Sequence, residues 1–192
     1  DLKQVPLYED TDMALFDTHY YGGIKKYQWT AIPLALHGVI VRRDGSTVRV
    51  RVGEDPGDPV FCVTDLLIHL ANKQMEKNAS TVVEGEDLNL LIGSRPFRDD
   101  EGSDLVKLNI LRLLHEKYGI VEADFLSAEL EVVPAFGARD LGFDRSMIGA
   151  YGHDDRVCAY PALTALLALD VPAYTAVTVL ADKEEIGSEG NT

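Results

Sequence analysis

The sequence predicts an α/β protein in two parts of different pattern: a β-rich part with two helices over residues 10–150, and an α/β part over residues 151–192. Two observations carry this. After Asp44-Gly45-Ser46, the stretch Thr47-Val48-Arg49-Val50-Arg51-Val52 alternates between apolar and basic residues, the period of a strand with one wet face. Residues 174–180 form a nearly continuous, β-branched apolar run just after an apolar helical pattern, which marks a strand buried on both faces of a sheet.

The elements follow in order. Residues 2–6 are expected to pair with the second part. Residues 37–43 and Thr47–Val52 are the arms of a hairpin, because Asp44-Gly45 tolerates the positive φ that a tight turn demands. Arg49 and Arg51, with Arg43 extending them, line its wet face, read as a solvated sheet surface rather than an anion site. Thr64 is placed to cap a helix reaching Lys77, with Leu66, Leu67, Leu70, Ala71 and Met75 at helical spacing. Residues 88–92 read as a short strand. Ser103 is placed to cap a second helix with Leu105, Val106, Leu108, Leu111 and Leu114 inward and Gly119 as its stop. Residues 125–133 alternate as a strand, with Leu126, Ala128, Leu130 and Val132 on one face. Residues 134–152, rich in Gly and small side chains, read as a connection. Residues 158–169 form an apolar helix ended by Asp170 to Pro172, and the buried run 174–180 follows.

Composition narrows the function. Lys and Arg total 18 against 32 Asp and Glu, a formal net charge of -14. This argues against a nucleic-acid binder, which must neutralise phosphates with cations. No apolar run is long enough to span a membrane, and the first residues carry no apolar h-region, so no membrane partner is expected. Cys62 and Cys158 lie far apart without metal or redox spacing, which makes a reducing cytoplasm the default location. The sequence starts without Met and stops just after a turn, as expected of a segment from a longer polypeptide.

Two acidic clusters carry the chemistry. Gly152-His153-Asp154-Asp155-Arg156 precedes the third helix, and Asp182-Lys183-Glu184-Glu185-Ile186-Gly187-Ser188 follows the apolar run. In open α/β sheets, ligands gather at the carboxyl ends of strands. Adjacent carboxylates raise each other's pKa unless a cation lies between them, and a divalent metal is such a cation. One carboxylate of Glu184-Glu185 can then bind metal while its neighbour takes a proton from a water. The plainer alternatives stay open: Asp154 or Asp155 can cap the helix, and Glu184-Glu185 can be a solvated turn.

At these residues a family resemblance emerges. Asp154-Asp155-Arg156 resembles the Asp-Asp/Asn-Arg step of co-catalytic metallo-aminopeptidases, and Asp182-Lys183-Glu184-Glu185-Ile186-Gly187-Ser188 their Asp-x-Glu-Glu-(Val/Ile)-Gly-Ser. Tyr21-Gly22-Gly23-Ile24, Leu67-Ile68-His69-Leu70 and Ala128-Glu129-Leu130 favour the M18 family (aspartyl aminopeptidase and aminopeptidase I type), with M42 peptidases as more distant relatives. The resemblance implies an α/β zinc-aminopeptidase core of the phosphorylase/hydrolase-like kind, only partly covered, with an inserted β-rich dimerisation domain. Residues 1–9 and 151–192 would belong to the core and residues 10–150 to the insert. It implies that Asp154 bridges two zinc ions, that Glu185 ligates one of them, and that Glu184 is the base activating a water. Asp155 would orient the site, and His69 would reach the substrate of a neighbouring subunit. Cobalt or manganese substitutes at such sites. The activity implied is removal of N-terminal residues from short peptides, by a homo-oligomer that in this family reaches dodecamers built from dimers.

The sequence departs from the pattern in one respect. The family's N-terminal His-x-Asp-x-Pro-like motif and a later Asp and His are missing, so this chain is expected to bind zinc weakly and to be inactive alone. A non-catalytic oligomerisation or interaction module is the alternative reading. A Mg²⁺-dependent phosphoryl hydrolase is a third, disfavoured because no phosphate-cradling glycine loop is present.

Overall fold

The computed structural model describes residues 1–98, 102–182 and 184–185. The chain forms two compact units, residues 1–135 and 136–192.

The first unit is built on two three-stranded antiparallel sheets. In one, β1 (Leu2–Asp10), β2 (Met13–Thr18) and β5 (Leu90–Gly93) lie in the order β1-β2-β5. Residues 2–6, expected against the second part, belong to β1 and its pairing with β2. The other sheet has the order β4-β3-β6, from β3 (Leu34–Val41), β4 (Thr47–Val52) and β6 (Ala128–Pro134). The expected hairpin is there, with Val41 opposite Thr47 and Leu36 opposite Val52. Asp44 Oδ1 closes its turn by accepting from the Ser46 N–H at 2.9 Å and the Ser46 hydroxyl at 2.6 Å. The core gathers Leu7, Phe16, Leu34, Leu36, Ile40, Val50, Leu90, Ile120, Phe125 and Leu130. Phe16 and Phe125 meet edge to face, with centroids 5.6 Å apart.

The expected helix from Thr64 to Lys77 shrinks to one turn, α1 (Asn72–Met75). Asp65 explains this: its Oδ1 accepts the Leu66 N–H and the Gln74 amide, both at 2.8 Å, a local bond that competes with helix formation. Leu66, Leu67, Leu70 and Met75 are exposed and only Ala71 is buried. The second helix, α2 (Leu105–Tyr118), ends at left-handed Gly119 as expected. Its start differs. Ser103 bonds Asp104 instead of capping, and Glu9 of β1 accepts the Lys107 N–H at 2.8 Å. A capping acceptor distant in sequence replaces the local one. The inward face is Val106, Asn109, Ile110, Leu111 and Leu114, while Leu108 points outward. Phe125 and Leu126 lie in a 3₁₀ segment, Glu122–Ser127, ahead of β6; Leu126 is exposed.

The second unit holds a hairpin within the expected connection, β7 (Arg139–Leu141) with β8 (Met147–Gly149), and then α3 (His153–Leu167). The hairpin turn repeats the device of the first: Asp144 Oδ1 accepts from the Ser146 N–H and hydroxyl. Residues 174–180 are not a strand here. Tyr174, Val177 and Val179 are highly exposed. An apolar run becomes a buried strand only between neighbours that take up its N–H and C=O groups, and among the described residues none pairs with it. No helix among them is long and apolar enough to cross a membrane.

Candidate metal centre

The two acidic motifs lie in the second unit. Gly152, left-handed with φ +77, opens α3, and Asp154 (φ -83, ψ 111) and Asp155 (φ -116, ψ 22) are non-helical, so the regular turns start after them. The peptide joining these two aspartates is cis. Neither carboxylate makes a helix-capping hydrogen bond, and both are exposed. The capping alternative therefore has no hydrogen bond behind it, although the start of a helix still favours negative charge.

Two side chains that the sequence reading left without a role brace this start. His153 bonds the Ile148 carbonyl of β8 at 3.0 Å through Nε2, which must carry the proton because a carbonyl can only accept. Arg156 donates from Nη1 to the carbonyls of Gly152 at 3.2 Å and Tyr151 at 3.5 Å. The donors flank the aspartate pair on both sides; that position, and for Arg156 its place in the Asp154-Asp155-Arg156 motif, were the signals the sequence offered.

Asp182, Glu184 and Glu185 follow the apolar run and are all exposed. Lys183 and residues 186–188 of that motif lie outside the described residues. No group of three or more His, Cys, Asp or Glu able to hold a metal ion forms among the described residues. Asp154 and Glu185 supply carboxylate oxygens that suit zinc as members of a mixed donor set. A four-coordinate site needs further ligands beside them.

His69 lies in the first unit, exposed, on a non-helical stretch between Ile68 and Leu70, which are 62% and 67% exposed. It is thus not a histidine satisfied within an apolar core. His37 Nε2 stands 3.3 Å from Glu54 Oε1 on the wet face of the β4-β3-β6 sheet.

Comparison with known proteins matches the family described as aminopeptidase I zinc metalloprotease (M18) over residues 1–192. The probable M18 family aminopeptidase 1 of Clostridium acetobutylicum is 62% identical over 192 residues, and that of Thermotoga maritima 52%. The match takes in all of this chain but only 41% and 42% of those proteins, so the chain spans less than half the length of its curated relatives. Among solved structures, the Thermotoga maritima M18 aminopeptidase superposes with a TM-score of 0.92 at 51% identity, covering 99% of this chain and 41% of that one. Aminopeptidase I from Clostridium acetobutylicum gives 0.91 at 60%, covering 99% and 42%. The S. cerevisiae mApe1 dodecamer shares the fold at 18% identity, with a TM-score of 0.56 and coverage of 86% and 35%. A family match over every residue, on a chain that carries Asp154-Asp155-Arg156 ahead of Glu184-Glu185 on mixed helices and strands, leads to one assignment: the chain belongs to the aminopeptidase I zinc metalloprotease (M18) family.

Proposed function

We propose that this chain is part of a zinc-dependent aminopeptidase that removes N-terminal residues from short peptides. The observation that carries the reading is the pair of exposed acidic motifs, Asp154-Asp155 at the start of α3 and Glu184-Glu185 beyond it, in a chain of this family. Residues 10–150 are read as an inserted dimerisation domain, and residues 1–9 and 151–192 as parts of the catalytic core.

Zinc, when bound, supplies Lewis acidity that polarises a peptide carbonyl and makes a water easier to deprotonate. The chain's own residues divide the remaining work. Asp154 and Glu185 would hold the zinc, Asp154 as a carboxylate shared by two ions and Glu185 as a ligand of one. Glu184 accepts the proton of the water at its carboxylate and returns it to the leaving amine. Asp155 and the braces from His153 and Arg156 hold Asp154 in place. Cobalt or manganese would serve in place of zinc, since carboxylate donors accept both.

His69 is assigned to contact substrate in a neighbouring copy. Its support is exposure on a strip of apolar side chains, Leu66, Leu67, Ile68 and Leu70, each more than half exposed. A strip of this kind usually marks an interaction site. The enzyme is accordingly read as a homo-oligomer, and S. cerevisiae mApe1, which shares the fold, is a dodecamer. Cys62 and Cys158 are both free, in keeping with a cytoplasmic location.

The test is a Glu184→Gln change in the full-length protein, with hydrolysis of aminoacyl chromogenic amides and bound zinc measured together. Loss of turnover with zinc retained supports the base assignment; loss of zinc makes Glu184 a ligand. An active Glu184→Gln variant rejects the mechanism. A full-length protein that binds no zinc and cleaves none of the amides would overturn the reading.

A further inference from the structure

The stretch that carries His69 is closed at its neck by one pair of side chains. Asp65 and Gln74 lie nine residues apart, and the Gln74 amide donates to Asp65 Oδ1 at 2.8 Å. The same oxygen accepts the Leu66 N–H at 2.8 Å. Residues 66–73 therefore leave and return at nearly one point, as in an Ω-loop. His69 stands near the middle of this loop, within a turn closed by the Leu70 N–H on the Leu67 carbonyl at 2.9 Å. The turn fixes the backbone around His69. The neck decides where the turn as a whole is held.

Packing within the chain does little of that holding. Between Thr64 and Lys77 only Ala71 is buried. A cavity of about 430 Å³ is walled by Thr64, Leu66 and Gln74 at the roots of the loop and by Tyr8 of β1 and Leu15 of β2, so the roots are not packed down on the sheet there. Hydrogen bonds take over. Just before the loop, the Cys62 carbonyl accepts the Leu91 N–H of β5 at 2.9 Å, and the Val63 carbonyl accepts the Ala31 N–H at 2.8 Å. The Thr30 hydroxyl reaches Asp65 Oδ2 at 3.3 Å. The outgoing root is thus tied to the body of the first unit. On the returning root, Gln74 meets the Val82 carbonyl only at 3.5 Å, the outer limit of a hydrogen bond, so Asp65 is its firm anchor.

We infer that the Asp65–Gln74 clasp positions His69 for substrate bound in a neighbouring copy; the inference rests on the assignment of His69 above. Asp65 and Gln74 are positioning residues, which act on substrate only through the loop between them. A carboxylate suits the task because Oδ1 joins the two ends of the loop while Oδ2 faces Thr30. Asparagine at position 65 keeps an accepting oxygen and so keeps the clasp. Alanine at position 74 removes the donor but leaves Asp65 with its Leu66 and Thr30 partners.

The experiment uses the full-length protein. Gln74→Ala, Asp65→Asn, His69→Ala and the double variant Gln74→Ala/His69→Ala are compared with wild type. Three quantities are read: kcat and KM on an aminoacyl chromogenic amide, bound zinc, and hydrogen–deuterium exchange of residues 64–77 and 34–52. Gln74→Ala should raise KM about fivefold, the worth of one ordinary hydrogen bond, while kcat and bound zinc stay near wild type. Asp65→Asn should raise KM less than Gln74→Ala does. His69→Ala should raise KM at least as far as Gln74→Ala, and the double variant no further than His69→Ala, because the clasp works only through His69. Exchange in Gln74→Ala should quicken over residues 64–77 and not over residues 34–52. A KM raised by His69→Ala but not by Gln74→Ala overturns the clasp and leaves the His69 assignment standing. A double variant whose KM rises by both factors overturns it as well. Unchanged exchange over residues 64–77 in Gln74→Ala overturns it whatever the kinetics. A wild-type KM in His69→Ala overturns the His69 assignment and the clasp together.

Discussion

Gly38 is the position where one methyl group should do most damage. It sits in the middle of β3, with Val50 on one side and Leu130 on the other, at φ +142. A Cβ built there would stand 1.9 Å from the Glu129 carbonyl oxygen and 3.0 Å from the Leu130 Cα, both backbone atoms of β6. Carbon approaches a carbonyl oxygen to about 3.3 Å at best, so Gly38→Ala must part the strands by roughly 1.4 Å. That exceeds what a ladder hydrogen bond tolerates. Two weakened bonds, with their buried groups left unsatisfied, cost about 3–5 kcal/mol. Gly45 provides the control. It too has a positive φ, +82, but nothing lies within 4 Å of its added Cβ. Gly45→Ala should therefore cost only the left-handed backbone term, about 1–2 kcal/mol. Urea unfolding followed by the fluorescence of Trp29, the single tryptophan of the chain and part of the first unit, reads both. Equal losses in the two variants would refute the cross-strand argument, because backbone conformation alone would then explain Gly38. An unchanged midpoint in Gly38→Ala would refute the register of β3 on β6.

Two further outcomes follow from the same unit. Glu9→Ala removes the acceptor of the Lys107 N–H at the start of α2; about 1 kcal/mol should be lost, as for other lost helix caps, while Glu9→Gln keeps most of it. Faster amide exchange at Lys107 in Glu9→Ala alone would mark that helix end as the place affected, and unchanged exchange would reject the cap. The Asp65 carboxyl is held below the ordinary carboxylate range chiefly by the Gln74 side-chain amide; burial opposes this next in size, and the Leu66 N–H and the Thr30 hydroxyl add smaller lowering effects. Its lowered folded pKa makes the contribution to stability present above the unfolded value and lost as pH falls through the folded one. In an NMR titration Asp65 should protonate below 3.8, and Gln74→Ala should bring its midpoint back up. An unmoved midpoint would show that the amide is not the cause.

What the sequence disclosed, and what it hid, divides along the range of the forces involved. The β3–β4 hairpin was legible because its causes are local: alternation over Thr47–Val52 and an Asp-Gly turn. The Gly119 stop of α2 was legible for the same reason. The β7–β8 hairpin was hidden because each arm is only three residues long, too short for alternation to show, yet Asp144 and Ser146 repeat the Asp44–Ser46 turn and were a usable signal. The N-terminal cap of α2 could not be read, because its acceptor, Glu9, lies 98 residues away on another element. The false helix at residues 64–77 shows the opposite failure. Its apolar spacing was real, but Asp65 found a nearer partner in the Leu66 N–H and in Gln74.

The acidic motifs extend this argument to the site. Residue types and order identify them, because two adjacent carboxylates at an element end call for a cation. Spacing in sequence cannot say how many ligands meet, and the chain does not gather three candidate donors among its described residues. The exposed run at 174–180 has the same character. Tyr174 is 88% exposed and Val179 81%, side chains whose burial would each stabilise a fold by about 1.5–3 kcal/mol if neighbouring strands covered them. Glu184 and Glu185 follow directly on this run. On the proposed reading, a neighbour that covered residues 174–180 would also fix where those two carboxylates point, which would couple burial of this run to assembly of the metal site. A full-length Val179→Asp variant should accordingly lose zinc as well as stability, although residue 179 carries no metal ligand. Zinc retained at wild-type affinity in a destabilised Val179→Asp protein would refute that coupling.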